Sequence, residues 1–331
     1  MDIHNLKQTA RARLDRASCN PRRLALIHTA VALAVSVALT VIHYVLDRQI
    51  GNTGGLSGIG TRSVLTTVQT VLQAAASVLL PFWQIGFLAA ALAIARGAYL
   101  DTETLGRGFR NFRSVLRFFL MRLLLTVGIA VSCIYLSTFL FMMTPMADQM
   151  MAVLEPAMEG SVMNPESLMT LDPAVMDEAM EVMWPASVLA LLVFGAVMIP
   201  VGYCFRLGQF VVLEDTPVRG FRAILTGFKL VRRNFGTFFR LDLQFWWYYV
   251  LQVLILAVGY GDEILRAVGV NLPVAHGVSF FGFFGLQVVG QLILLTLARP
   301  VVDTTYAVFY EELKTGTVVE KTVPQKMNWD A

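Results

Sequence analysis

At 331 residues, with 56% hydrophobic and 15% charged side chains and a mean hydropathy of +0.64, the chain lies outside the balance of a soluble domain, in which about a quarter of residues are charged. The apolar surplus must face lipid, and at about 20 residues per crossing the length holds about six spans plus loops. A net charge of +3 gives no sign of nucleic-acid binding, and the scattered Cys19, Cys133 and Cys204 form neither a CxxC pair nor a spaced metal set.

Residues 1–22 come first as a cytoplasmic amphipathic segment: Ile3, Leu6, Ala10 and Leu14 alternate at helical spacing with Lys7, Arg11, Arg13 and Arg16, so the apolar side is expected to dip into the membrane surface. Asn20 and Pro21 end that helix. The membrane domain, 23–313, opens with a span from Leu24 to Leu46, which ends in His43, Tyr44 and Asp47 rather than in a small-residue cleavage site, so it stays attached. The stretch GNTGGLSGIG at 51–60 is rich in glycine but lacks the lysine of a phosphate loop and reads as a linker. A second span is expected at Ala74 to Ala95, kinked at Pro81, with the polar residues 63–73 at the outer interface.

Arg96, Arg107, Arg110, Arg113, Arg117 and Arg122 then mark a basic loop leading into a third span, Phe118 to Met143. The loop 144–183 holds eight carboxylates, no Lys or Arg, and most of the eleven methionines that fall between Met142 and Met183. Thioether sulfur is a ligand for Cu(I), but the loop has no histidine, and an acidic amphipathic cap with a methionine face accounts for the same pattern. Asp172 followed by Pro173 has helix-start chemistry, feeding a fourth span at Ala186 to Cys204. A second basic loop, Arg206 to Arg240, precedes a fifth span, Leu241 to Val258, that opens on the aromatic cluster Phe245 to Tyr249. A sixth covers Val278 to Ala298. After Arg299 and Pro300, VVDTTYAVFYEELKTG reads as an amphipathic inner-surface helix, and 314–331 as a polar cytoplasmic tail.

From Arg122 to Arg206 no other Lys or Arg occurs, although the chain has 26. Cytoplasmic loops collect these residues and translocated loops lose them. The fold expected is therefore all-α, a polytopic membrane helix bundle of about six transmembrane helices, with the 144–183 loop outside and both N- and C-termini cytoplasmic. In a background without the native thiols, single cysteines at Glu159 or Glu178 should react with an impermeant maleimide added to intact cells, and cysteines at Arg110 or Lys229 should not. The reverse labelling pattern would invert the topology.

A parallel internal repeat is read at an offset of 119 residues: Pro81 with Pro200, Leu88 with Leu207, Gly108-Phe109 with Gly227-Phe228, Arg113 with Arg232, Phe119 with Phe238 and Leu124 with Leu243. Each copy reads as a span inward, a basic Gly-Phe loop and a span outward. Arg110 and Lys229, next to the two Gly-Phe pairs, are candidate contacts for anionic lipid headgroups at the inner leaflet or for a membrane protein partner; as plain positive-inside charge they need neither. Arg299 and Asp303, one turn apart, are a further candidate contact and equally an ion pair that staples the inner surface. Polar side chains inside spans should face the bundle. Gln84, Gln287 and Gln291 are the candidate intramembrane positions, as the lining of a pathway or as interhelical hydrogen bonds. Nucleophile, metal-hydrolase and nucleotide motifs are missing, so no catalytic residue, metal or cofactor is expected.

The stretch RPVVDTTYAVFYEEL, the N-terminal LKQTARARL, the GLSGIG segment and the two Gly-Phe loops together resemble a family of bacterial integral membrane proteins catalogued as domain of unknown function 975, over most of residues 5–313. Val301 stands where that family has an aromatic after the proline, and the Met-rich loop looks like an individual elaboration. The resemblance implies a multi-pass protein of the cell membrane, the bacterial cytoplasmic membrane, and no established activity. A lesser likeness is to the membrane portion attached to some glycerophosphodiester phosphodiesterases, whose soluble catalytic barrel has no counterpart in this sequence. Two functions fit: a non-enzymatic scaffold or accessory factor, and a small-solute or lipid transporter built from two parallel half-repeats.

Overall fold

The computed structural model describes residues 3–52, 59–148, 152, 173–214, 220–268 and 276–322. The expectations for most of the Met-rich loop, for the glycine-rich linker and for the end of the tail lie outside these residues. The described chain is helical: α1 (Ile3–Asp15), α2 (Pro21–Asn52), α3 (Ile59–Arg96), a 3₁₀ turn (Thr102–Gly106), α4 (Arg107–Arg110), α5 (Phe112–Met142), α6 (Pro173–Val212), α7 (Gly220–Gln244), α8 (Trp246–Gly259), α9 (Gly261–Ala267), α10 (His276–Leu297) and α11 (Arg299–Thr322). Among the described residues, five stretches are long and apolar enough to cross a membrane: Pro21–Leu46, Ser63–Arg96, Phe112–Met142, Ser187–Val212 and Val278–Leu297. The pair α7 and α8 qualifies as a sixth only when taken together, and it is bent by 56°.

Several boundaries differ from the sequence reading. Helix α3 runs unbroken from Ile59 through Pro81, so the polar residues 63–73 belong to the same 38-residue helix as the span. The fourth span continues past Cys204 to Val212 and carries Arg206 inside it rather than in a loop. As expected from Asp172-Pro173, its helix begins at Pro173. The fifth span is not one straight helix from Leu241, because the chain breaks at Phe245, whose backbone (φ −105°, ψ 14°) is not helical.

The chain divides into two compact units, residues 1–118 with 206–331, and residues 119–205. In the first, α3 is central: 67% of its apolar window is buried, against 11–17% for the other four candidate spans. Phe87, Ala90, Ala93 and Ile94 of α3 pack with Leu24 and Ala25 of α2 and with Leu100 and Leu105 from the turn that follows. That turn is set by Gly97 at φ +66°, where a side chain would be strained; Gly97 N–H donates to Ile94 O (3.0 Å) and Ala98 N–H to Ala93 O (2.9 Å), which satisfies the last carbonyls of α3. Ser18, between α1 and α2, accepts from Leu100 N–H (2.9 Å) and donates to Leu100 O (3.3 Å), so two connections are pinned together.

The N-terminal helix does not lie with its apolar side in lipid. Leu6 and Ala10 are 1% and 0% exposed, and α1 packs mainly on α11. Lys7 sits 4.5 Å from the centre of the Phe245 ring, and burial, then the Arg11 charge, lower its pKa. Helix α11 likewise departs from the surface helix expected of it. Thr304, Thr305, Tyr306, Ala307, Val308, Phe309 and Tyr310 are all buried, and a helix buried on every side is an interior helix. Asn20 caps α2 by accepting from Arg22 N–H (3.0 Å), with Pro21 as its first residue.

Helix α8, 14 residues and about 21 Å long, is shorter than a hydrocarbon core of about 30 Å. It runs antiparallel to α10, with Gly290 against Ile255 and Gly259 against the Gln287 amide, and α9 continues along α10 with Gly261 against Phe283. Small residues allow this close approach of helices. In the second unit, Ala130, Cys133 and Ser137 on α5 and Ser187, Ala190 and Phe194 on α6 line an apolar groove of about 440 Å³, and Arg122 lies 5.4 Å from the Phe205 ring centre.

Candidate functional site

Helix α11 begins with Arg299 and Pro300 and carries Asp303, Tyr306, Tyr310 and Glu311, which organise three polar clusters along the first unit. The first bridges the break in the bent pair. Asp242, three residues before Phe245, accepts at Oδ1 from Tyr249 OH, four residues after it (3.0 Å), from Arg206 Nη1 of α6 (3.3 Å) and from Tyr306 OH of α11. Arg206 Nη1 also donates to Tyr249 OH (3.0 Å), and its guanidinium lies 4.0 Å from the Tyr306 ring centre. One carboxylate thus ties four helices at the bend, because α7 and α8 meet there without a continuous backbone hydrogen-bond ladder.

The second cluster joins α11 to α2 and α3. Arg299 Nε donates to Asp303 Oδ2 (3.0 Å), as the spacing of one turn allowed, and Arg299 Nη1 to His28 Nδ1 (3.3 Å). Arginine is only a donor, so Nδ1 accepts, and Nε2 carries the proton it donates to Trp83 O (3.1 Å). Trp83 Nε1 returns a bond to His28 O (2.9 Å), the two rings stack at 5.3 Å, and Arg299 lies 4.6 Å from the Phe87 ring centre. His28 is therefore a neutral imidazole locked between an arginine and a carbonyl.

Glu214 centres the third cluster. It accepts from Lys314 Nζ (2.6 Å) and Tyr310 OH (2.6 Å), with Arg96 Nη2 at 3.6 Å, and Arg96 also reaches Glu311 (2.7 Å). Burial by itself would raise the Glu214 pKa, but the hydrogen bonds from Lys314 and Tyr310, with the Lys314 and Arg96 charges, outweigh it and hold the carboxyl below its ordinary value of 4.5. Burial, then the bond to Glu214, keeps the Tyr310 phenol well above its ordinary range, so it remains the donor. A carboxylate whose folded pKa is depressed stabilises the fold above its unfolded pKa and loses that contribution as pH falls through the folded one. The stability advantage of the native chain over Glu214→Gln, followed by thermal unfolding in detergent, is accordingly expected in full above pH 4.5 and to shrink as the pH drops below it. An advantage independent of pH down to 3 would show that the charge of Glu214 is not what matters.

The residues singled out from sequence fall into different surroundings. Gln84 is exposed on α3, whereas Gln287 and Gln291 are half-buried on α10, Gln287 filling the space left by Gly259. A separate pocket of about 360 Å³ between α2 and α3 is lined by Ser36, Thr40, His43, Gln73 and Ser77 together with Leu39, Ala76 and Leu80. Arg110, at the end of α4, and Lys229, on α7, are exposed. Arg299 and Asp303 point inward at each other and at His28. Sequence reading missed the roles of Arg206, Asp242, Tyr249 and Tyr306. Its available signal was the apolar run that continues past Arg206 as LGQFVVL, which leaves no place for a loop to begin. The repeat places its two Gly-Phe pairs in different local structures, a four-residue helix for Gly108-Phe109 and the interior of a 25-residue helix for Gly227-Phe228. Among the described residues no three His, Cys, Asp or Glu side chains gather as metal ligands.

The sequence profile of a family described as protein of unknown function (DUF975) matches residues 1–317. No curated protein and no solved structure gives a significant match to the chain.

Proposed function

This chain belongs to the DUF975 family, and we propose that it serves as a non-enzymatic scaffold or accessory factor, a multi-pass protein of the bacterial cytoplasmic membrane with both termini on the cytoplasmic side. The observation that carries this reading is the internal pairing of its ionisable groups. Arg206 with Asp242, and Glu214 with Lys314 and Arg96, hold helices to one another, and Arg299, paired with Asp303 one turn along the same helix, reaches His28 of α2, so these charges serve packing. A proton- or ion-coupled carrier needs ionisable groups exposed to a pathway. Gln287, wedged against Gly259, fits interhelical packing better than a pore lining. The orientation rests on the distribution of Lys and Arg between loops, and the partners it implies are the bilayer and another membrane protein, without nucleic acid or cofactor.

The test is the access of water to the Gln face of α10. Cysteines at Gln287 and Gln291, in a background without native thiols, are expected to resist water-soluble methanethiosulfonate reagents added from either side of reconstituted vesicles. Reaction at either position would replace the scaffold by the small-solute or lipid transporter.

A further inference from the structure

Helix α7 has two faces that the packing of its own unit does not treat alike. Ala223, Ile224, Gly227, Val231, Phe238 and Leu241 are buried in the first unit. A second apolar row stays outside: Phe221, Leu225 and Phe228 at i, i+4 and i+7, then, beyond the non-helical backbone of Asn234 (φ −129°, ψ 20°), Phe235, Phe239 and Leu243 at i, i+4 and i+8. Their side chains are 41–54% exposed. Beside the first part of this row, Arg222, Lys229 and Arg233 recur at i, i+7 and i+11, which puts them together on one flank, about 100° round the helix from the phenylalanines. Arg232 and Arg240 add two more cations, and the only carboxylate in the helix, Asp242, is already engaged with Arg206.

We propose that α7 is an in-plane membrane-surface helix whose Phe221/Leu225/Phe228 and Phe235/Phe239/Leu243 rows sit at the acyl boundary, while Arg222, Lys229 and Arg240 bind the phosphates of anionic lipids. The proposal deepens the reading of the chain as a membrane protein and rests on that reading, but not on the choice between scaffold and transporter. Charge complementarity selects the occupant. Arg222, Lys229, Arg232 and Arg240 against a single carboxylate that is paired with Arg206 fit a polyanionic leaflet, and each cation near such a surface is worth about a fivefold gain in binding. The exposed rows of phenylalanine argue against solvent, since a large aromatic surface in water is unfavourable. A spanning role does not suit α7 itself, because a basic flank this dense would be drawn into the hydrocarbon core; the sixth crossing that keeps both termini on one side falls to the apolar α8, with the bilayer thinned around its 14 residues. High amphipathicity with low overall hydrophobicity is the pattern of interfacial helices.

The experiment uses the full chain, freed of its three cysteines, with Phe228→Cys or Phe239→Cys carrying an environment-sensitive fluorophore, reconstituted in nanodiscs of neutral lipid with or without anionic phosphatidylglycerol. The expected result is shielding from aqueous iodide and stronger quenching by a nitroxide near the headgroup than by one deep in the acyl chain. A second measurement, the anionic lipid retained by the purified protein, should fall several-fold in the triple variant Arg222→Gln, Lys229→Gln, Arg240→Gln. Iodide access at both positions would overturn the proposal in favour of a soluble-facing surface that docks another protein, and equal or stronger quenching by the deep nitroxide would make α7 part of a spanning helix. Shallow quenching with unchanged lipid retention would overturn the anionic-lipid assignment. Failure of the whole chain to incorporate into nanodiscs would instead refute the membrane reading on which the proposal rests.

Discussion

Replacing Asp242 by alanine is expected to destabilise the protein more than any other single side-chain truncation in the polar clusters. Removal of one partner from a buried ion pair costs about 3–5 kcal/mol, chiefly because the other charge is left without compensation. Arg206 and Asp242 keep 28% and 22% of their side-chain surface, so the lower end of that range, about 3 kcal/mol, applies. Asp242→Ala removes the acceptor of Arg206, Tyr249 and Tyr306 at once, and with it the bonds that fix the 56° bend between α7 and α8. Thermal unfolding of the purified protein in detergent would show the loss. A double variant, Arg206→Met with Asp242→Leu, removes both charges and should lie closer to the native chain than Asp242→Ala does. If Asp242→Ala melts with the native chain, the cluster is incidental to the bend.

Gly86→Ala and Gly108→Ala should each be about as damaging for a steric reason. A methyl group on Gly86 would stand 1.9 Å from the Leu105 carbonyl oxygen, and one on Gly108 2.1 Å from the Phe82 carbonyl oxygen. Both obstacles are backbone, so relief requires α3 to separate from the 3₁₀ turn and α4, which also disturbs the core around Phe87 and Leu105. Overpacking of this kind costs about 3 kcal/mol, and more where the backbone cannot yield. Gly128 and Gly195 are the matched controls, since an added methyl there meets nothing within 4 Å. In a helix, alanine is favoured over glycine by about 1 kcal/mol, so those two substitutions should be neutral or mildly stabilising. Yield of folded protein after detergent extraction and its unfolding midpoint give the comparison. Equal behaviour of all four variants would mean that the α3 to α4 contact is looser than described.

Hydropathy alone located five of the spans, since an apolar stretch of about 20 residues has few other destinations. Local chemistry was equally legible where it depends on neighbours in sequence. Asp172-Pro173 announced the start of α6 at Pro173, and the spacing of Arg299 and Asp303 announced their ion pair. The stretch that carried the family resemblance, RPVVDTTYAVFYEEL, turned out to supply Arg299, Asp303, Tyr306, Tyr310 and Glu311 to all three clusters. Its burial was not legible, because a helix with mixed polar and apolar residues looks like a surface helix until the polar ones are matched with partners. The same holds for α1, whose apolar side could face lipid or protein and is buried by α11.

The sequence by itself therefore determined class, approximate span count and a few helix starts, those of α2 at Pro21 and α6 at Pro173 among them, all of which follow from transfer free energies and from capping groups within a few residues. Only the tertiary structure decided which charges are neutralised and by whom. Arg206 and Asp242 are 36 residues apart, Arg299 and His28 271, and Arg96 and Glu311 215. Pairings at such separations come from how helices pack, and no periodicity along the chain encodes them. The break at Phe245 belongs to the same category: its neighbours Leu243, Gln244, Trp246 and Trp247 include neither the proline nor the glycine that would announce a kink, and the bend holds because Asp242 and Tyr249, on either side of it, meet Arg206 and Tyr306 from other helices.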